Sequence, residues 1–468
     1  MNFKFIILVS LIVVVLSTPA RADFQVNSYT TEWQENASVF INNTGDFVVV
    51  WQSRGSYGTD YDPSSPVFTD DSIQGQRYAS DGSFLGSQFQ INTYTTGHQT
   101  DPETSCDNAG NFVVVWQTWG SNYGDVNGLA VQGQRFASNG DFLDSQFQIN
   151  TYTTGNQWNP AINVNATGDF VVVWQSVGSD QSDTNLASIQ AQRYSSTGGI
   201  VGSQFQVNTY TTGNQYAPEV CVKSDGDFVV VWQSYGSNYG DTSYWSVQGQ
   251  RFSSSGAFLG SQFQLNSYTT LYQEEPSVGV DVNGTYTMVW HSLGSDTQTT
   301  ESVQARRMSS TGSFLGSQFQ VSAYSHWGYH ASISVENDGD FVVVWQSFGS
   351  DFGDTDHCIQ GQRFSSTGSF LGTQFLVNTY GYDTQESPDV NVNDNGDFVV
   401  AWESYTSPYS DTSYSCVMGR QFESVTPPTT PTLSQTFAVI LFTLLGLAGG
   451  YFLLNKKGRM WCNLRDHD

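Results

Sequence analysis

The sequence is short of cysteine and of the composition that favours helices. Its five cysteines, in 468 residues, do not form the spaced set of a disulfide framework. No bias toward Ala, Leu, Lys and Glu is present, whereas 15 % of the residues are aromatic and 45 are glycine. These shortages exclude a disulfide-stapled miniprotein and a helical bundle, and they favour a β-rich chain.

Basic residues are also scarce. Residues 23–435 contain ten Lys or Arg against 41 acids, a formal charge of about −31. A surface of this charge repels polyphosphate, so we expect no nucleic-acid partner. The sequence also lacks a Gly-x-Ser-x-Gly elbow, a phosphate-binding loop, a zinc-helix signature and the Ser-x-Asp-x-Gly-x-x-Trp box of sialidase propellers.

A single pattern recurs through the body of the chain. Segments like Phe-Val-Val-Val-Trp occur seven times at intervals of 55 to 65 residues, with the tryptophan at positions 51, 116, 174, 232, 290, 345 and 402. Three other short segments rich in Val, Phe or Tyr lie between them, bounded by Gly, Ser, Asn or Asp. The sequence therefore predicts seven units of four strands, which we name A to D from the inside outward.

The Val-rich B segment is apolar at every position, so both of its faces must be covered. The stacked blades of a propeller cover both faces in every copy. The last copy lacks its D strand, while an orphan segment of D type stands at Phe24–Asn27. We therefore predict an all-β fold, a seven-bladed β-propeller of four-stranded blades closed by the N-terminal strand, rather than another stacked β array.

The two ends of the chain carry targeting signals. Lys4, the apolar run 5–16 and Ala20-Arg21-Ala22 are typical of a signal peptide, which we place at 1–22. We assign 23–425 to the propeller, 426–435 to a Pro/Thr linker, 436–454 to a transmembrane or sorting helix and 455–468 to a basic cytoplasmic tail. The expected location is the cell surface, with a monomeric propeller outside and the membrane contacted through the C-terminal helix.

A constant spacing in six of the seven copies predicts a ring of polar side chains. Six copies have a glutamine 17 residues before the tryptophan, and the sixth copy has Gly328 instead. These side chains either bond to the backbone of the D-to-A crossover or face a ligand at the mouth of the channel. The glutamines are Gln34, Gln99, Gln157, Gln215, Gln273 and Gln385.

Most of the length variation falls in the B-to-C loops, which are acidic. Oxygen-rich loops favour Ca²⁺, although no copy matches a full calcium loop and turn formation accounts for Asp equally well. The sixth copy adds histidines, which together with carboxylates could hold a transition metal or could be drifting surface residues. The metal candidates are Asp60, Asp62, Asp351, Asp354, Asp356, His326, His330 and His357.

Aromatic residues populate the same loops and crossovers, among them Trp158 and Trp245. Such rings can stack on sugars or receive a protein, and packing between blades would absorb others. The repeat arginines, such as Arg77 and Arg251, are too regular for an active site. We expect them to anchor strands or blades through ion pairs or hydrogen bonds.

The repeat units, for example 204–208 with 218–232 and 247–252, resemble tandem repeats of bacterial extracellular proteins. Pro431-Thr432-Leu433-Ser434, with the apolar span and basic tail, is similar to IPTL-type C-terminal sorting segments of envelope proteins. Thr430 stands where those segments have Ile, and 435–436 is Gln-Thr rather than Glu-Trp. The resemblance implies an extracellular location more than an activity.

Because the blades are nearly equivalent, the sequence favours a noncatalytic surface binding or adhesion module. Its loop-rich face would engage a glycan or protein, with Ca²⁺ stiffening the acidic loops. The alternatives are a polysaccharide hydrolase or lyase on a propeller scaffold, which needs a few unmatched acids or bases at one place, and a structural envelope protein.

Overall fold

A computed structural model describes residues 20–30, 32–55, 71–119, 128–178, 186–236, 244–294, 301–322, 327–348, 356–380, 383–405 and 414–424. These residues form 28 strands in seven antiparallel four-stranded sheets. The predicted all-β, seven-bladed propeller is therefore confirmed. No helix that could span a membrane occurs in the described ranges. The linker, the predicted C-terminal helix and the tail lie outside those ranges.

The blades follow one another along the chain. Blade 1 contains β2 (Gln34–Ile41), β3 (Phe47–Arg54), β4 (Asp71–Tyr78) and β5 (Phe89–Gln90); blade 2 contains β6 (Gln99–Cys106), β7 (Phe112–Trp119), β8 (Leu129–Phe136) and β9 (Phe147–Gln148); blade 3 contains β10 (Gln157–Val164), β11 (Phe170–Val177), β12 (Ala187–Tyr194) and β13 (Ile200–Gln206); blade 4 contains β14 (Gln215–Val222), β15 (Phe228–Tyr235), β16 (Trp245–Phe252) and β17 (Phe263–Gln264).

Blade 5 contains β18 (Gln273–Val280), β19 (Tyr286–Leu293), β20 (Glu301–Met308) and β21 (Phe319–Gln320); blade 6 contains β22 (Trp327–Val335), β23 (Phe341–Phe348), β24 (His357–Phe364) and β25 (Phe370–Leu376); blade 7 contains β26 (Gln385–Val392), β27 (Phe398–Ser404), β28 (Cys416–Phe422) and β1 (Phe24–Gln25).

The N-terminal strand completes blade 7. Phe24 pairs with Gly419 in β28, and Val26 donates its N–H to the Val417 carbonyl at 2.8 Å. Asn27 accepts the Val417 N–H at 2.9 Å, as the D-strand Asn92 accepts that of Ile73 at 2.8 Å in blade 1. The orphan segment therefore takes the role of a D strand. Ala20 also bridges Phe422, so part of the predicted signal peptide lies against this blade.

The core lies between blades, as the fully apolar B strands require. All seven repeat tryptophans are 0–1 % exposed. One face of each B strand packs on the opposite face of the next, so that Val48 and Val50 of blade 1 contact Val114 and Trp116 of blade 2. The same packing joins blade 7 to blade 1 and closes the ring.

The repeat arginines link neighbouring blades on the lower face, which carries the A-to-B and C-to-D turns. Arg251 of blade 4 donates to the Ser310 carbonyl of blade 5 at 2.7 Å. Arg77, Arg135 and Arg193 each donate in the same way to a backbone carbonyl in the C-to-D turn of the following blade. The expectation that these arginines are structural anchors is confirmed. The B-to-C loops and the D-to-A crossovers lie on the opposite, upper face.

Candidate functional site at the channel

Each innermost A strand contains a β-bulge that changes which side chains face the channel. In blade 1 the pairing of β2 with β3 shifts between Glu35 and Ser38, and the same shift recurs in the other six blades. Counted from the repeat glutamine, or from Gly328 in blade 6, the third residue of each A strand has a left-handed φ of 44–52°. None of these seven residues is glycine, and they are Asn36, Asp101, Asn159, Ala217, Glu275, His330 and Ser387.

The strained backbone is held by the preceding blade. Gln117, the residue after the blade 2 tryptophan, accepts the Asn159 N–H of blade 3 at 3.1 Å. Gln233 accepts the Glu275 N–H in the same way at 3.0 Å. Left-handed non-glycine residues cost about 1–3 kcal/mol each and persist where their surroundings fix them. The bulge is therefore a built feature of the channel wall.

Counted from the repeat glutamine, or from Gly328 in blade 6, the fifth residue of the A strand is Ser38, Glu103, Ala161, Glu219, Ser277, Ser332 and Asp389 in blades 1 to 7. Five of these seven side chains, all except Ser38 and Ala161, face the channel. A cavity of about 300 Å³ lies at this level, and its lining includes Glu103, Glu219 and Asp389. The blades are thus nearly identical in their cores but differ at the positions that line the cavity.

Asp389 is held by donors from three directions. Its carboxylate accepts the Val39 N–H at 2.8 Å, the Ser332 hydroxyl at 2.8 Å and the Val390 N–H at 2.9 Å. Burial raises the pKa of Asp389, and these hydrogen bonds oppose the rise because they favour the ionised form. The three donors stabilise the ionised form of this carboxyl, although burial keeps its pKa above the usual value.

Glu219 lies in a different environment. Within the described residues, no hydrogen-bond donor reaches its carboxyl, and burial followed by the charge of Asp389 raises its pKa to about 8. Burial, then the charges of Asp389 and Glu219, raises the pKa of Glu103 well above its usual range, although Ser38 donates to it at 3.1 Å. Burial therefore favours the protonated forms of Glu219 and Glu103, whereas the donors around Asp389 favour its ionised form.

Asp101 extends the acidic wall upward from Glu103. Its side chain accepts a hydrogen bond from Asn36 at 2.7 Å, and burial raises its pKa to about 6. On the opposite side of the cavity, His330 bonds through Nδ1 to Glu275 at 3.3 Å. The arrangement can both donate and accept a proton at a molecule bound in the cavity.

The six glutamines of the predicted polar ring do not line the cavity. All are 0–1 % exposed, and each accepts the indole N–H of its own repeat tryptophan at 2.8–3.3 Å. Gln99 also donates to the crossover carbonyls of Thr96 and Gly97 at 3.3 and 3.1 Å. In blade 6 the glutamine is replaced by Gly328, which packs on Trp345.

Trp158 and Trp245 lie on the upper face and are half-buried. Trp245 packs beside Tyr216 and Tyr235, with ring centres 5.4 and 5.3 Å apart. Trp158 is the second residue of β10, next to the bulge of blade 3. Both rings are accessible from the upper side of the propeller.

Of the metal candidates, the structure describes Asp356, His330 and His357. Asp356 is exposed, and His357 Nδ1 lies 3.2 Å from the Gln346 amide. Across the described part of the chain, no group of three or more His, Cys, Asp or Glu is placed to hold a metal ion. Asp60, Asp62, Asp351, Asp354 and His326 lie outside that part.

The sequence analysis missed Glu103, Glu219 and Asp389. Simple alternation along the A strand gives no hint that the fifth residue faces the channel, because the bulge interrupts it. A signal did exist: an alignment of the seven copies on their glutamine shows acids at this position in three copies and Ser or Ala in four. The argument that equivalent blades bring no unmatched acids together was therefore wrong.

No protein-family model and no curated protein sequence matches the chain. Solved structures do. A protein of unknown function from Dyadobacter fermentans is 12% identical, with 87% of this chain and 99% of that chain covered and a TM-score of 0.48. An α-L-arabinanase from Penicillium chrysogenum is 14% identical, with coverages of 75% and 100% and a TM-score of 0.48.

A third match is the polysaccharide lyase Uly1, at 9% identity, with 83% of this chain and 90% of that chain covered and a TM-score of 0.49. These three matches, each with a TM-score below 0.5, establish no role for this chain.

Proposed function

We propose that the protein is a glycoside hydrolase that cuts a neutral polysaccharide at the mouth of the channel. The observation that carries the proposal is the group of unmatched carboxyls in one cavity, with Glu219 kept protonated and Asp389 held by three hydrogen-bond donors. Glycoside hydrolysis needs such a pair, one carboxyl as acid and one as base or nucleophile.

This proposal replaces the noncatalytic binding module expected from the sequence. That hypothesis is contradicted by the propellers that the chain resembles, which include the arabinanase and the lyase described above, a sialidase from Streptococcus pneumoniae and an α-L-arabinofuranosidase from Fusarium graminearum. They favour the alternative, a polysaccharide-cleaving enzyme. The acids of the cavity give that alternative a chemical basis in this chain.

The two carboxyls take different roles. Glu219 protonates the glycosidic oxygen as the bond to the anomeric carbon breaks, and the leaving sugar departs as an alcohol. Asp389, in the ionised form that its three donors stabilise, either removes a proton from the attacking water or attacks the anomeric carbon itself. Glu103, beside both, adjusts their charges through its own protonation.

Hydrolysis fits the cavity better than elimination. A lyase acts on uronate sugars and needs groups that neutralise the sugar carboxylate, but the described lining residues include no Lys or Arg and include Asp101, Glu103, Glu219 and Asp389. A uronate would be repelled from this cavity. A neutral sugar carries no such penalty, and its hydroxyls can donate hydrogen bonds to the acids.

The predicted signal peptide and C-terminal segment extend the proposal to the location. We propose that the substrate is a polysaccharide outside the cell, reached by a propeller anchored at the surface. Protease treatment of intact cells tests this: degradation of the propeller while cytoplasmic proteins survive supports it, and full protection contradicts it.

The decisive experiment measures new reducing ends when the purified protein is incubated with arabinan, xylan, galactan, mannan and glucan. We expect cleavage of at least one of them, and a loss of about 10²- to 10⁴-fold in Glu219→Gln and Asp389→Asn. Glu336→Gln is the matched control, because Glu336 pairs with Arg363 at 3.5 Å on the lower face. Activity that survives both channel variants would refute the assignment.

A further inference from the structure

His330 is a cavity residue to which the proposed mechanism gives no role. Counted from Gly328, it is the third residue of the blade 6 A strand, a position that holds Asn in blades 1 and 3, Asp in blade 2, Ala in blade 4, Glu in blade 5 and Ser in blade 7. No other residue of the described cavity lining is His, Lys or Arg. The imidazole, like the three acids, is therefore a departure from the repeat that lies at this cavity.

Glu275 of blade 5 fixes the orientation of this imidazole. Its Oε2 atom accepts the backbone N–H of His330 at 3.3 Å and lies 3.3 Å from Nδ1 of the same residue. Because a carboxylate only accepts hydrogen bonds, the proton of the neutral ring is assigned to Nδ1. Nε2 then keeps its lone pair and is a hydrogen-bond acceptor.

The imidazole is open to a molecule in the cavity. The side chain of His330 is 47 % exposed, and no described residue hydrogen-bonds to its Nε2 atom. The cavity that it lines, at about 300 Å³, has the size of a small ligand pocket. A bound hydroxyl group can therefore donate to this nitrogen without displacing a partner from the protein.

The imidazole shares this cavity with the catalytic carboxyls. Ser332, two residues further along the same strand, donates its hydroxyl to Asp389 at 2.8 Å, and both line the cavity together with Glu219. A sugar whose glycosidic bond lies between Glu219 and Asp389 therefore brings its own hydroxyls within the same walls as His330. The acids of the lining disfavour an anion, and no three metal ligands come together among the described residues.

We propose that His330 is a specificity-determining residue that accepts a hydrogen bond, through Nε2, from a hydroxyl group of the neutral sugar at the cleaved bond. This inference rests on the proposed function and names a contact for its substrate. A site that hydrogen-bonds a substrate hydroxyl rejects sugars that lack it or present it elsewhere. Loss of the contact should weaken binding more than it slows cleavage, because the imidazole transfers no proton in the reaction.

Two substitutions separate the contact with the sugar from the bond to Glu275. The side-chain amide of asparagine reaches about as far as Nδ1 of histidine, and that of glutamine about as far as Nε2. His330→Asn therefore keeps a donor for Glu275 and loses the acceptor for the sugar. Asparagine already occupies this left-handed position in blades 1 and 3, so the variant should fold.

Kinetics on the polysaccharide that the wild type cuts distinguish the two roles. We expect His330→Asn to raise KM about ten-fold with kcat nearly unchanged, the effect of losing one hydrogen bond to the bound substrate. His330→Gln should raise KM less, because its amide oxygen replaces Nε2 as the acceptor. A larger defect in the glutamine variant, or wild-type kinetics in both, would overturn the proposal.

His98→Asn is the matched control. The side chain of His98 is 46 % exposed and its Nδ1 lies 2.7 Å from Asp71, a pairing like that of His330, but His98 is not part of the cavity lining. Asparagine occupies its position in blades 3 and 4, as Asn156 and Asn214. We expect the KM of His98→Asn to equal that of the wild type. An equal rise of KM in both asparagine variants would contradict a specific contact at His330.

Spectroscopy measures the contact directly in the inactive Glu219→Gln protein with histidine labelled at the ring nitrogens. Oligosaccharides of arabinose, xylose, galactose, mannose and glucose are titrated, and the His330 signals are assigned by their loss in His330→Asn. We expect the Nε2 resonance to shift when the oligosaccharide of the cleaved polymer binds. If it binds and the resonance stays unmoved, the contact is refuted while the hydrolase stands. A shift without hydrolysis of any polymer by the wild type would instead refute the proposed function, and with it the assignment to a cleaved sugar.

Discussion

Replacement of Glu403 by glutamine should stabilise the protein, and the gain should grow with pH. Glu403 is 5 % exposed and stands where five other blades have glutamine. It accepts the backbone N–H of Asn36, and burial, together with the charges of Glu35 and Glu386, raises its pKa to about 9. A protonated carboxyl thus substitutes for an amide in the same hydrogen bond.

The magnitude follows from linkage between protonation and folding. The unfolded chain releases this proton near pH 4.5, whereas the folded chain keeps it to about pH 9, so stability falls as pH rises between these values. At 1.36 kcal/mol per pH unit, the penalty is about 3 kcal/mol at pH 7 and under about 1 kcal/mol at pH 5. Glutamine keeps the acceptor and has no proton to lose.

Thermal unfolding of Glu403→Gln and wild type at the two pH values measures the effect. An unfolding entropy of roughly 2.1 cal/mol/K per residue over the propeller gives a rise in Tm of roughly 4 °C at pH 7 and about 1 °C at pH 5. Glu423→Gln is the control, since Glu423 is an exposed partner of Arg21 and should change Tm little at either pH. An equal gain at both pH values would show that the carboxyl of Glu403 is not protonated in the fold.

Three further predictions concern the channel and the scaffold. The hydrolysis rate should fall as pH rises above about 8, because Glu219 then loses the proton it must donate; a pH–rate profile with no fall on the alkaline side would contradict this. Phe24→Ala should cost about 2 kcal/mol in urea unfolding because its ring packs 5.2 Å from that of Tyr78, whereas the 65 % exposed Phe84→Ala should cost little. Gln99→Ala should cost about 2 kcal/mol by leaving the Trp116 indole N–H buried without its acceptor, and a second change to Phe at Trp116 should make the two effects non-additive in a double-mutant cycle.

The propeller could be predicted because its signals are local and repeated. Apolar residues on both faces of every B strand require covered sheets, and the segment Phe24–Asn27 has the composition of the missing D strand. The structure pairs it with β28 through the same Asn-to-backbone bond that the other D strands use. Each of these features can be recognised within about ten residues of sequence.

The site could not be predicted because its cause is not local. The bulge places a non-glycine residue in the left-handed conformation in every blade, and side chains such as Asn159 tolerate it without specifying it. The acceptor that holds this backbone, Gln117, belongs to the preceding blade. Only after the blades stack do Glu103, Glu219 and Asp389, from three different blades, share a cavity.

This division explains how a nearly symmetric ring can hold an asymmetric centre. The residues that stack the blades, above all the buried tryptophans, cannot vary without a cost to every junction. The fifth A-strand residue, by contrast, does vary: it is an acid in three blades, Ser in three and Ala161 in one. Three acids among seven such positions are enough to set Glu219 and Asp389 in different environments, and that difference is what acid–base chemistry requires. We infer that in this fold a search for chemistry should compare equivalent channel positions between blades, because Glu103, Glu219 and Asp389 depart from the repeat there.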